Sequence, residues 1–489
     1  MEDGLLKDTL KYVPAQGVPA IVGFLSVPIV TRMFHPENYG DYSIVMATVA
    51  VLATLVGWLS VSIVRFYPAY VRDGNLNILY GNVGALTALS ISLVGVLFSV
   101  LLSTIKGILS PDLYVLMYLG IALFVARAVF DVLQHFLRSR RLVGWYAIFA
   151  SWQSAAGLAA GIVLIVLLDI GIEGLVLGGI FSVAVILPLL WKKAASHKLI
   201  MHRRLDLKLV KGFASYGLPL VAANLAAWML SLSDRYILEF FRGSAEVGIY
   251  SASYNISEKS IRLVAMLFML ASGPISVHIW EMEGTQACAA FVSKVTRYFF
   301  IVCVPAVVGL SVLSKPLIDL MTGEQYLEGY RILPFVAVGT LFLGLQDRFQ
   351  SAFLFKKKTG SITLAILLAG LLNLVLNLLL IPAYGYFAAA VTTLISYAFL
   401  LVLMIILSRR LLIWPFPFYS LVKVCCASAV MGIGAYYIGT GLTSSNLGNI
   451  FLAVLIGIIL YVSVLLALKE FSSEELALLL PRRLQMRIL

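Results

Sequence analysis

The sequence predicts an all-α integral membrane protein. It has about fourteen spanning helices: two parallel six-helix lobes around a central cavity, then two C-terminal helices. Both termini are predicted to be cytoplasmic. Three observations carry this expectation. Of 489 residues, 61% are hydrophobic and only 12% charged, against roughly 25% charged in soluble domains. Apolar runs long enough to cross a hydrocarbon core of about 30 Å recur along the whole length. The chain also repeats its own pattern halfway along.

The predicted spans are 12–34, 42–67, 78–105, 112–137, 144–168, 172–191, 210–238, 246–276, 290–313, 331–354, 360–380, 385–407, 418–439 and 449–468. The first is read as a retained helix, not a cleaved signal, because its apolar run from Tyr12 to Phe34 is too long for an h-region and no small-residue cleavage site follows. Connections are short, and the longest outer one is Ser314 to Tyr330. The resulting organisation is a first lobe over 1–200, a second over 208–410, two helices over 411–468 and a cytoplasmic tail over 469–489. In the tail, Ser472 and Glu475 have the spacing of a helix capping box.

Orientation follows from the basic residues, which concentrate in cytoplasmic loops. Arg138, Arg140 and Arg141, the run from Lys192 to Lys211, Lys356 to Lys358, and Arg409 with Arg410 fall on one side. Only Arg32, Lys106, Arg242, Lys315 and Arg331 fall on the other. The net charge of +12 is therefore a matter of topology, and it implies no nucleic-acid partner. Cys288, Cys303, Cys425 and Cys426 show neither a disulfide framework nor metal spacing.

Spans 1–6 and 7–12 read as two copies of one unit. Tyr39-Gly40-Asp41-Tyr42-Ser43 opens span 2, and Val247-Gly248-Ile249-Tyr250-Ser251 opens span 8. Basic clusters run into Gly144 after span 4 and into Gly360 after span 10, and Gly171 and Gly385 are taken as their matched downstream glycines. Six is even, so the copies are parallel and related by an axis along the membrane normal, as in transporters that rock two lobes about a central site.

Charges inside a membrane cost roughly 2.5–3.5 kcal/mol each on insertion scales and mark function by default. The basic ones are Arg65, Arg127, Arg235, Lys259, Arg262 and Arg348, with acidic companions Asp131, Asp234, Glu258 and Asp347. Arg127 with Asp131, and Glu258 with Arg262, have i,i+4 spacing and can neutralise one another as structural ion pairs. The excess of base implies an anionic ligand, and the planar guanidinium fork suits phosphate. Arg65 and Arg262, with Lys259, Arg348, Arg127 and Arg235, are thus candidate pyrophosphate-binding residues. Asp131, Asp234 and Glu258 are candidate ion-coupling residues or charge partners. Trp58, Trp152, Trp228 and Tyr254 are candidates for stacking on sugar rings. Pro14, Gly17, Pro19, Gly23 and Pro28 make span 1 a candidate bending element. No catalytic constellation, phosphate loop, cofactor motif or metal motif is present, so the chain reads as a non-enzyme.

Phe34-His35-Pro36-Glu37-Asn38-Tyr39-Gly40-Asp41-Tyr42 resembles the loop after the first helix of the Wzx-type lipid-linked oligosaccharide flippases. These are the polysaccharide transporters of the multidrug/oligosaccharidyl-lipid/polysaccharide exporter superfamily. Tyr216-Gly217-Leu218-Pro219-Leu220, Ser233-Asp234-Arg235-Tyr236 and Val247 to Ser251 extend the resemblance into the second half. It implies a flippase that moves an undecaprenyl-pyrophosphate-linked oligosaccharide, the repeat unit of an O-antigen, capsule or exopolysaccharide. Translocation would run from the cytoplasmic to the outer leaflet of a bacterial inner membrane, by alternating access. The implied partners are the lipid-linked oligosaccharide, membrane lipids, a polysaccharide polymerase and other assembly proteins. In the more distant lipid II flippases, cavity arginines lie on spans 1, 2 and 8; Arg65 and Arg262 occupy two of these, while Arg32 ends span 1. Two alternatives remain. A cation-coupled multidrug exporter of the same superfamily would want an acidic or neutral cavity. A membrane polymerase or ligase would want a substantial catalytic loop.

Overall fold

A computed structural model describes residues 13–195, 205–439, 446–472 and 475. The helices are α1 (Val13–Met33), α2 (Pro36–Val56), α3 (Trp58–Arg72), α4 (Leu76–Thr104), α5 (Pro111–Ser139), α6 (Val143–Leu168), α7 (Glu173–Ala195), α8 (Leu207–Arg242), α9 (Ser244–Met282), α10 (Thr285–Val312), α11 (Ser314–Met321), α12 (Leu333–Phe355), α13 (Thr359–Ser408), α14 (Phe418–Gly439) and α15 (Asn446–Ala467). A 3₁₀ turn covers Glu324–Ile332.

Among the described residues, 12 helices are long and apolar enough to cross a membrane, against about fourteen spans expected. Two features account for the difference. Helix α9 is not among the twelve, although its stretch 263–280 carries no charge, and α13 is counted once although it bends at Gly385, where φ is +57°. At about 1.5 Å per residue, the 50 residues of α13 are far too long for one crossing of a ~30 Å core.

Two other elements depart from expectation. Span 2 is two helices, α2 and α3, meeting at Gly57. The stretch 314–330 is not an open loop: α11 and the 3₁₀ turn form there because Ile318, Tyr326 and Ile332 are fully buried. Helix α1 runs continuously through Pro19 and Pro28. The capping box does form: Ser472 N donates to Glu475 Oε2 at 2.9 Å, and Glu475 N to Ser472 Oγ at 3.2 Å. The tail from 476 onward lies outside the described residues.

The internal repeat is visible in the backbone. Left-handed residues other than glycine occur at Arg141 (φ 58°) and Lys357 (φ 56°), each three before its glycine, Gly144 or Gly360. Further left-handed residues follow at Asp169 (φ 51°) and Gly385 (φ 57°), each 25 after that glycine. The partner of Gly385 is therefore Asp169, two residues before the Gly171 expected from sequence. Only the glycine is free of steric penalty at such an angle, so the first copy's turn carries no glycine signature.

By contacts the chain divides into two units, 1–252 with 366–392 and 253–365 with 393–489. In the first, α6 and α7 approach backbone to backbone at Gly157, Gly161, Gly174 and Gly178, the close packing that small residues permit where no hydrophobic force separates protein from lipid. Helices of both repeats meet within this unit. Thr48 and Tyr236 share a 2.6 Å hydrogen bond, Ser62 Oγ donates to the Phe213 carbonyl at 3.1 Å, and Phe66 stacks on Phe213 at 5.2 Å. In the second unit, Trp414 packs between Phe349 (5.0 Å) and Phe416 (5.7 Å), pinning the chain between α13 and α14. Arg297 on α10 holds Glu470 at 2.7 Å and Glu475 at 2.8 Å, so the chain after α15 is tied to α10.

Candidate functional site

In the first unit, Arg65 lies on the solvent- or lipid-accessible face of α3, opposite the buried Leu59, Ser62 and Ile63, and no described side chain pairs with it. Arg127 is half-buried on α5, within electrostatic reach of Tyr42 and Asp131. Its Nε is buried with no hydrogen-bond partner, and the i,i+4 ion pair with Asp131 is not formed. Arg235 is different. It is 4% exposed, bonds Asp234 at 3.2 Å and the Ser231 carbonyl at 3.1 Å, and lies 5.5 Å from the centroid of the Tyr250 ring. The Tyr250 hydroxyl donates to Asp234 Oδ2. Both charged side chains are buried, Arg235 at 4% exposure and Asp234 at 1%.

The aromatic candidates of this unit separate. The Trp58 backbone and Cβ pack against Gly217 of α8. The Trp228 ring lies 5.5 Å from Tyr236, with its Nε1 buried and unpartnered. Trp152 donates Nε1 to the Ser182 carbonyl at 3.0 Å and lines an apolar groove of about 640 Å³ with Pro14, Val18, Ala147, Ile148 and Ala155.

In the second unit, the Glu258–Arg262 ion pair does form, at 3.2 Å, yet the Arg262 side chain stays 62% exposed. Tyr254, Tyr397 and Asp347 lie within its electrostatic reach, and the two tyrosine hydroxyls are 3.2 Å apart. Lys259 is half-buried beside this group. Arg348 is buried, donates to Ser272 Oγ at 3.0 Å and keeps its Nε buried without a partner.

Sequence reading tracked charges and so passed over neutral polar groups. Asn373, Asn377 and Thr392 are wholly buried in the first unit. Asn377 Nδ2 donates to Asn373 Oδ1 at 2.9 Å, the Thr392 hydroxyl donates to Asn377, and Asn373 Nδ2 has no partner. Two amides one helical turn apart in an apolar run were the available signal. Tyr42 and Tyr397 carried none beyond an aromatic among apolar neighbours. No cluster of metal ligands occurs among the described residues, and all four cysteines are free.

The fold is an all-helical bundle with 12 candidate membrane spans among the described residues. Its architecture matches the lipid II flippase MurJ in an inward closed conformation, with TM-score 0.75, 15% identity and coverage of 93% of this chain and 97% of that one. It also matches an inward-facing multidrug resistance MATE family transporter, with TM-score 0.65, 12% identity and coverage of 81% and 97%. At these identities the likeness is one of fold.

The chain belongs to the polysaccharide biosynthesis protein family, whose model matches residues 5–280. The lipid II flippase MurJ model matches residues 170–460. Among curated relatives, an uncharacterized membrane protein of Methanocaldococcus jannaschii is 23% identical over 232 residues, 47% of this chain and 44% of its own length. The probable low-salt glycan biosynthesis flippase Agl15 of Haloferax volcanii is 22% identical over 282 residues, 56% and 58%. The chain thus spans about half the length of the curated relatives it matches.

Proposed function

We propose that this protein is a non-catalytic flippase that carries a polyisoprenyl-pyrophosphate-linked oligosaccharide, of the undecaprenyl type, across the cytoplasmic membrane by alternating access. In this reading there are fourteen crossings, with α2–α3 as one crossing and α13 as two, and both termini are cytoplasmic. The observation that carries it is the retention of guanidinium groups in membrane-spanning helices: Arg65 without a partner among the described residues, Arg127 with a buried Nε that makes no hydrogen bond, and Arg262 exposed despite its glutamate. A cation in a membrane-spanning helix is costly unless it is paired, and a lipid pyrophosphate supplies a counter-charge. Relatives whose names include glycan and lipid II flippases support the same substrate class.

Arg65, Arg127 and Arg262 are the ligand-facing bases, with Lys259 and Arg348 supporting them. Arg235 and Asp234 hold the fold. Asp131, which no ion pair consumes, and Glu258 are the groups left to balance charge through the cycle. Trp152 in its apolar groove is the aromatic best placed to meet a lipid or sugar surface. The test is a deletion strain analysed for lipid-linked glycan by leaflet. Accumulation on the cytoplasmic face is expected, without loss of glycan assembly. Normal flipping with unpolymerised product would indicate a polymerase or ligase instead. Loss of cationic-drug efflux with intact glycan export would indicate the exporter reading favoured by the multidrug transporters of like fold.

A further inference from the structure

The repeated motifs Tyr39 to Ser43 and Val247 to Ser251 supply Tyr42 and Tyr250 to the groups above, and the structure also brings the motifs themselves together within one unit. Helix α2 starts at Pro36 and α9 at Ser244, and Gly40 and Gly248 each lie four residues further on. A Cβ on Gly40 would overlap the Ser244 carbonyl oxygen and lie 3.0 Å from Gly248 N. A Cβ on Gly248 would overlap the Pro36 carbonyl oxygen and lie 3.0 Å from Pro36 Cα. Equivalent glycines of the two repeats therefore cross, each seated on the carbonyl that starts the other's helix. No side chain can occupy either position while the helices cross.

Beside the crossing, Ser244 Oγ lies 2.5 Å from Asp41 Oδ1 and 3.0 Å from Glu239 Oε1. One hydroxyl carries one proton and can donate to only one of these carboxyl groups at a time. The other oxygen of Glu239, Oε2, is buried with no donor, a cost that permanently packed sites rarely carry. The surroundings add more acid: Glu37, Asp112 and Glu173 lie within electrostatic reach of Asp41, while Arg242 is held by Glu246 at 2.8 Å. A single residue, Gly243 with φ 85° and ψ 170°, joins α8 to α9 and can act as a hinge between them.

We propose that the crossing of α2 and α9 is a dissociable gate, closed through Gly40 and Gly248 and latched by Ser244 between Asp41 and Glu239. The proposal rests on the transporter reading above and names where the two repeats part during the cycle. Breaking one glycine contact releases its symmetry mate, so the gate opens as a unit.

The test uses the full-length protein in detergent with its four cysteines replaced and a single Ala47→Cys probe. Ala47 is 4% exposed on α2, about two turns below Gly40. Its rate of labelling by a bulky polar maleimide reports gate opening. Gly40→Ala or Gly248→Ala should speed labelling by about tenfold or more, because the closed state is overpacked. Glu239→Gln should slow it, because the new amide donates to Ser244 Oγ and leaves the serine proton for Asp41. Loss of fold would speed labelling in every variant, so opposite signs identify the gate. Alanine variants that label at the parent rate, or a Glu239→Gln variant that labels faster, would overturn the proposal. If both signs hold while the wild type moves no lipid-linked glycan, the gate stands and the substrate reading fails.

Discussion

Two intramembrane pairs share i,i+4 spacing and meet different fates. Glu258 and Arg262 on α9 form an ion pair at 3.2 Å. Arg127 and Asp131 on α5 do not. The difference follows from order along the helix. An acid placed four residues before a base is favoured by side-chain geometry and the helix dipole, and the reverse order is weaker. In the acid-first pair the arginine is held but still exposed. In the base-first pair it is left with a buried, unpartnered Nε. Arg127 in the first unit is thus left without an ion pair, while Arg262 in the second is held by one and still exposed.

The largest expected effect concerns neither pair but the buried Arg235–Asp234 group of the first unit. Arg235→Ala strands Asp234 in the interior and should cost about 3–5 kcal/mol of stability, read as a sharp fall in detergent-solubilised melting temperature with little folded protein recovered. Recovery of that temperature in Arg235→Leu/Asp234→Leu would confirm that the group holds the fold and binds nothing. Next, Arg65→Ala and Arg127→Ala should each leave protein levels near normal but lower glycan flipping, since a charge-assisted contact is worth about 1.5–3 kcal/mol. Because no ion pair joins Arg127 to Asp131, adding Asp131→Ala should not restore the Arg127→Ala variant.

Reversing the order sharpens the comparison further. The double variant Arg127→Asp/Asp131→Arg keeps net charge but creates the acid-first arrangement. It should gain an ion pair, seen by a double-mutant cycle worth about 0.5 kcal/mol, and flip glycan more slowly than the wild type.

How far the molecule could be read beforehand depended on the signal. Spanning helices follow from apolar length, so nearly all were legible, and the helix ends near Gly144 and Gly360 followed from glycines and basic clusters. The turn at Asp169 was not legible, because its left-handed conformation falls on a residue with no glycine signature. Residues 314–330 looked like a loop because Ile318, Tyr326 and Ile332 are too sparse to give a helical period, yet all three are buried. At the site, Arg65 and Arg262 were identifiable because charge in a membrane is conspicuous. That Arg235 is buried against Tyr250 depends on a neighbour from another helix, which no local pattern announces.

The smallest expected effect lies at the tail. Slight burial works against ionisation of Glu475, but hydrogen bonds from Arg297 and Tyr298 outweigh it and hold the carboxyl down at about 2. A depressed carboxylate stabilises its contact above the unfolded value of 4.5, and that contribution fades as pH falls from there toward 2. Proteolysis of the tail should therefore be pH-independent between 5 and 8 by this group and rise only below about 4.5. Glu475→Gln should remove that rise, because its tail is released at every pH.

The central claim is that accessible intramembrane arginines recognise a lipid phosphate, and reconstituted flipping tests it most directly. Proteoliposomes would carry the wild type, Arg65→Ala or Arg262→Ala, with one oligosaccharide attached to the same isoprenoid through either a pyrophosphate or a neutral linker. The wild type should move the pyrophosphate form at least about tenfold faster, a difference of about 1.4 kcal/mol, and both variants should lose that preference. Equal transport of the two lipids by the wild type, or an unchanged preference in both arginine variants, would contradict the account.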